Sequence, residues 1–176
     1  MILVYAFSNH WGTNISHRTL LELEKLFDKN SHSADFQLVY FQPKRFFEKN
    51  IKSFPPLSKG GQGGLVLGLG DGGKFLTKIK IETQAKNNYL DKPIQPFAPI
   101  LLDLNLPPVD IYDSNFFKIG SNMGTYNCNW LAYQTQHYLN NYSPSTLHLF
   151  LHLPQKLPAP FLATKIFDLL HDNQII

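Results

Sequence analysis

The chain has 176 residues, 43% of them hydrophobic and 14% aromatic, enough for one domain with a sizeable core. Only 16% are charged, which excludes a disordered chain, and the net charge of +3 comes from basic residues that are scattered rather than clustered, which excludes nucleic acid as the expected partner. No apolar run approaches the roughly 20 residues of a membrane span, and a single cysteine cannot form an internal disulfide, so a cytoplasmic protein is expected.

The opening MILVYAF lacks a basic flank and a small-residue cleavage site; Ile2 to Phe7 is read as a buried first strand. Asn14 or Ser16 can cap a following helix that carries Leu20, Leu23 and Phe27 on one face. Phe36 to Phe41 is a second strand, and Pro43 can start a short helix with Phe47 and Ile51 inward. Residues 54–64, FPPLSKGGQGG, are read as an inserted Pro/Gly-rich loop that adds little to the core. Leu65 to Leu69 is a third strand. GLGDGG, from Gly68, resembles a phosphate loop only loosely because no GK[ST] follows. It is read instead as a glycine-rich turn that brings backbone near a substrate, with Gly70 and Asp71 as candidate contacts. Thr77 to Ile81 alternates, with Thr77, Ile79 and Ile81 on one side and Lys78 and Lys80 on the other: a half-buried strand that ends at Glu82.

The proline-rich stretch 90–110 is expected to be irregular, with one helical turn near Leu101. Cys128 to Leu139 fits a helix with Leu131 and Thr135 inward, Leu147 to Leu153 a strand, and Phe161 to Leu170 a closing helix with Leu162, Ile166 and Leu169 on its apolar stripe. Strands that alternate with helices imply a single layered α/β domain over 1–176 with a partly parallel sheet.

Three residues could do chemistry. Cys128 lies where a loop becomes a helix, and a helix N-terminus favours a thiolate and offers N–H groups to an oxyanion. His152, at the end of a strand before Leu153-Pro154, could take the thiol proton and return it to a leaving amine. Glu82, at the end of its own strand, could orient the imidazole. Each has a plainer reading: an inert packing thiol, a core or surface histidine, a solvated strand end. One cysteine, with neither an HExxH motif nor a close His-x-His pair, supplies no metal ligand set, and no cofactor is expected.

In their settings these residues resemble the pyrrolidone-carboxylate peptidases (pyroglutamyl peptidase I), cysteine peptidases that remove an N-terminal pyroglutamyl group. MGTYNCN around Cys128 is similar to that family's A-G-T-Y-V-C-N, and FLHLP around His152 to F-I-H-V-P. GGK at Gly72, followed by IKIETQAKN around Glu82, is similar to a G-G-R turn followed by I-x-x-E-R-x-A-x-N. Phe7 to Gly12 echoes G-F-E-P-F-G-G. The resemblance implies a three-layer α/β/α sandwich, phosphorylase/hydrolase-like, with a mixed sheet. It also implies a Cys128–His152–Glu82 mechanism and a peptide or small amide with a blocked N-terminus as substrate; homo-oligomers are common in the family. Thr83 replaces an arginine, and the arginine ten positions after the glutamate aligns with Lys92, the expected charge at the oxyanion. Phe7 with Trp11 or His10 would wall the ring pocket, and Asn127 stands where the family has a small apolar residue. The amide-breaking machinery therefore looks kept and the ring pocket altered. A cysteine amidohydrolase of different acyl specificity, or a non-catalytic binding protein of the same fold, are the alternatives.

Overall fold

The structure, a computed structural model, describes residues 1–53, 64–108 and 113–176. Six strands form one sheet in the order β2-β1-β3-β8-β4-β7: β1 Ile2–Ser8, β2 Asp35–Tyr40, β3 Leu65–Asp71, β4 Ile79–Glu82, β7 Phe117–Gly120 and β8 Leu147–Leu153. The strands β2, β1, β3 and β8 run parallel; β4 pairs antiparallel with β8 and parallel with β7. Helices cover both faces, giving a three-layer α/β/α sandwich with a mixed sheet.

Helix α1 (Ile15–Lys29) begins where Asn14 Oδ1 accepts the Ser16 N–H. Its buried Leu20, Leu23 and Phe27 pack with α4 (Ala159–Asp172), whose Leu162, Ala163 and Ile166 are also buried, against one face of the sheet. That face is apolar throughout: Val4, Ala6, Leu67, Leu69, Ile79, Ile81, Leu149, Leu151 and Leu153. The other face carries α3 (Asn127–Tyr142), the short α2 (Pro43–Phe46) and a π-helical turn at Phe47–Ile51. Alternation along each strand assigns neighbours in sequence to opposite faces.

Several boundaries differ from expectation. Thr77 is exposed and lies outside β4, which starts at Ile79. Phe41 leaves β2 with a φ of 46°. Gly68 to Asp71 does not form a turn; it extends β3, because β1 and β8 pair along its length. Leu101 sits in a strand, not a helical turn: β6 (Leu101–Asp103) pairs antiparallel with β5 (Gln84–Lys86), so backbone partners supplied from elsewhere in the chain override a weak local preference. Of the segment expected as an inserted loop, only Gly64 lies within the described residues.

Candidate active site

The carboxyl ends of the parallel strands β1, β3 and β8 open toward the N-terminus of α3, the place where α/β sheets receive ligands. Register puts the candidate residues in two adjacent rows on one face. Gly70, His152, Lys80 and Lys118 are successive cross-strand partners over β3, β8, β4 and β7, and Gly68, Phe150, Glu82 and Gly120 form the next row.

His152 Nδ1 lies 2.6 Å from Glu82 Oε1. Glu82 is completely buried and His152 is 8% exposed. With Nδ1 engaged by the carboxylate, Nε2 is the nitrogen left for chemistry. Two glycines of β3 make room for the site. A Cβ on Gly70 would stand 3.0 Å from His152 Nε2 and 3.1 Å from Cys128 Sγ; a Cβ on Gly68 would stand 2.6 Å from both the Tyr5 hydroxyl and the Phe150 ring. Sulfur and imidazole therefore crowd the same point above β3.

Cys128 is the second residue of α3. Gly124, with a φ of 81°, makes the turn that leads into the helix, and no side chain caps the helix start. The loop after β5 is stitched to this start. Buried Asn129 accepts from the Lys86 N–H at 2.8 Å and donates to the carbonyl oxygens of Lys86 and Asn88, and the Tyr89 hydroxyl donates to Asn127 Oδ1 at 3.0 Å. The ionisation expected from the helix N-terminus is reversed by the surroundings: burial, then the charges of Asp71 and Glu82, push the Cys128 thiol up to about 12, against a smaller lowering by a backbone hydrogen bond. Cys128 is only half-buried, so water moderates this rise.

The remaining expectations divide. Phe7 is in the core, 9% exposed and edge-on to Tyr5, whereas Trp11 is 81% exposed and His10 packs on Phe41. Lys92 is exposed and bridged to Tyr89 on the loop above, not at the sulfur; the cation in contact with the acid is Lys80, whose Nζ is 2.7 Å from Glu82 Oε1. Asp71 is occupied as the clasp of its own turn. It accepts from the Gly73 N–H at 2.8 Å and from Gln155 Nε2 at 2.9 and 3.0 Å, and with His152, Lys80, Lys118 and Met123 it lines a cavity of about 330 Å³. A larger apolar cavity, about 830 Å³, lies between α2 and α3 and is lined by Phe41, Pro43, Tyr89 and Trp130. Lys80, Tyr5 and Asn129 went unnoticed as site residues. The signal for Lys80 was present, since a residue two before Glu82 on a strand shares its face. Among the described residues no group of His, Cys, Asp and Glu is arranged to hold a metal ion, and no helix is long and apolar enough to cross a membrane.

No protein-family model and no curated protein sequence matches the chain. Solved structures do. A variant of the pyrrolidone carboxyl peptidase of Pyrococcus furiosus aligns with a TM-score of 0.77 at 18% identity, over 99% of this chain and 98% of that one. Pyroglutamyl peptidase I of Bacillus amyloliquefaciens aligns at 0.71 and 18%, over 94% and 93%. The pyrrolidone carboxyl peptidase of Thermococcus litoralis also aligns at 0.71 and 18%, over 99% and 92%. The chain has the pyroglutamyl peptidase fold.

Proposed function

We propose that the chain is a cysteine peptidase that releases an N-terminal pyroglutamyl or similar small cyclic acyl group. The observation that carries the reading is the meeting of Glu82, His152 and Cys128 at the head of α3, with His152 Nδ1 on the carboxylate and Nε2 sharing the space over Gly70 with the sulfur. Burial and the neighbouring carboxylates raise the thiol, so its proton leaves as the sulfur attacks. Sγ adds to the scissile carbonyl carbon while His152 Nε2 takes the thiol proton, and the N–H groups of the first turn of α3 receive the oxyanion. Collapse breaks the C–N bond, and His152 gives its proton to the departing amine. Water then attacks the thioester as His152 accepts a proton from it. Rupture of the C–S bond releases the acid, and the proton returns to sulfur. Glu82 fixes the ring and stabilises its charged form throughout. A cytoplasmic location and self-association accompany this reading; the exposed Phe97, Ile100 and Leu101 beside β6 offer apolar surface for the latter.

A chromogenic pyroglutamyl amide tests the specificity. The wild type releases the chromophore and Cys128→Ala does not, a loss of at least about 10⁴-fold. A well-folded wild type that leaves this substrate intact overturns it. The contrast between exposed Trp11 and buried Phe7 favours a second reading: the same hydrolase acting on another small acyl group. A panel of N-acyl amides separates the two.

A further inference from the structure

Lys80 has no role in the steps above, yet it touches both ends of the arrangement. Its Cα is the cross-strand partner of His152. Its ammonium contacts Glu82 Oε1 at 2.7 Å, the same oxygen that faces His152 Nδ1, and donates to the Asn122 carbonyl oxygen at 2.6 Å. Asn122 belongs to the loop that turns at Gly124 into α3, so one cation links the acid to the segment that delivers Cys128. Its stem lies across Gly120, where a Cβ would come within 2.2 Å of Lys80 Cε. Any side chain at Gly120 would displace it.

The charges explain why the site needs this link. Glu82 is fully buried, and its Oε2 has no hydrogen-bond partner. A buried carboxylate so poorly satisfied requires a countercharge. His152 cannot supply one while it is neutral, and it must be neutral to accept the thiol proton. The other groups around the pair are Cys128 from α3, Asp71 from β3, Lys118 from β7 and the Tyr5 hydroxyl from β1. Of these only Lys118 is cationic, and it stands one strand farther from His152, on the exposed edge.

The geometry points to Lys80 as a positioning residue: it balances Glu82 so that the carboxylate can orient a neutral His152, and it holds the loop that presents Cys128. This inference rests on the Cys-His-Glu reading above, but its test needs no substrate. Cys128 is the only cysteine, so iodoacetamide alkylation reports on it alone, and the rate is followed against pH. Removing a cation beside coupled titrating groups makes the proton harder to remove from whichever atom holds it. Lys80→Met therefore lowers the rate roughly tenfold near neutral pH, where the lysine is charged, and the loss fades as pH rises through the lysine range. Lys80→Arg restores most of it. Gly120→Ala, which keeps the lysine but displaces its stem, lowers the near-neutral rate in the same direction, and it decides the matter should Lys80→Met fail to fold by circular dichroism. In a Glu82→Gln background Lys80→Met adds little, because the charge it balances is gone. A wild-type profile in the folded Lys80 and Gly120 variants, or effects of Lys80→Met and Glu82→Gln that simply add, overturns the inference. A wild type that shows this coupling yet ignores pyroglutamyl amides sinks the specificity alone; one that hydrolyses them with a profile indifferent to Lys80 sinks only the role of Lys80.

Discussion

The two faces of the sheet are built from alternate residues of the same strands, yet they are made to different standards. Toward α1 and α4, Leu67, Leu69, Ile81, Leu149 and Leu151 are wholly buried among other hydrocarbon. Toward α3, the neighbours of those residues are Gly68, Gly70, Glu82, His148, Phe150 and His152, with Tyr5 above them. Among the described residues four polar atoms on this second side, Tyr5 Oη, Glu82 Oε2, His148 Nε2 and Thr135 Oγ1 of α3, are buried without partners, against Thr19 Oγ1 of α1 on the first. One face thus supplies stability through close packing, and the other tolerates unsatisfied polar groups where chemistry is proposed.

That contrast can be broken most severely at the acid. Glu82→Gln keeps the shape but no longer stabilises a charged His152, and hydrolysis should fall by about 10³- to 10⁴-fold in kcat/KM, with the thermal midpoint far less affected. Adjacent residues of β3 sharpen it further. Leu69→Ala should cost about 3 kcal/mol in denaturant unfolding and leave activity per folded molecule unchanged. Gly70→Ala intrudes on His152 and Cys128, and should lower activity by about 10²-fold at a smaller cost in stability.

His148 tests the same face through pH. Burial lowers it to about 3, so the unfolded chain binds a proton on this residue that the folded chain refuses. Its contribution to stability is full above the ordinary histidine range and is lost as pH falls from there toward 3. The penalty grows to about 4 to 5 kcal/mol by pH 3, and His148→Gln should flatten that part of a stability-versus-pH curve. The smallest effect is expected at Tyr5. Tyr5→Phe deletes a buried hydroxyl that bonds nothing, so the thermal midpoint should hold or rise by the equivalent of up to about 1 kcal/mol.

Long periodic elements were legible because burial imposes its period directly on the residues: β1, β8, α1 and α4 fall where alternation or the apolar stripe puts them. The strands β5, β6 and β7 were not, because three or four residues carry no periodic signal, and they are strands by virtue of partners distant in the chain. The site divides in the same way. Cys128, Glu82 and His152 stand in local settings that announce them. Lys92 drew attention by its position after Glu82, whereas the cation that reaches the carboxylate is Lys80, placed there by the face it shares with Glu82 and by the pairing of β4 with β8.

Sequence alone settled which chemical groups the chain carries, the α/β layering and most of the apolar face, since these follow from side-chain identity and spacing. Tertiary structure decided that burial and two carboxylates raise the thiol, that Trp11 is exposed while Phe7 is buried, and which cation contacts the acid. Ionisation and contact depend on what surrounds a group in three dimensions, and strand pairing brings those neighbours from far along the chain.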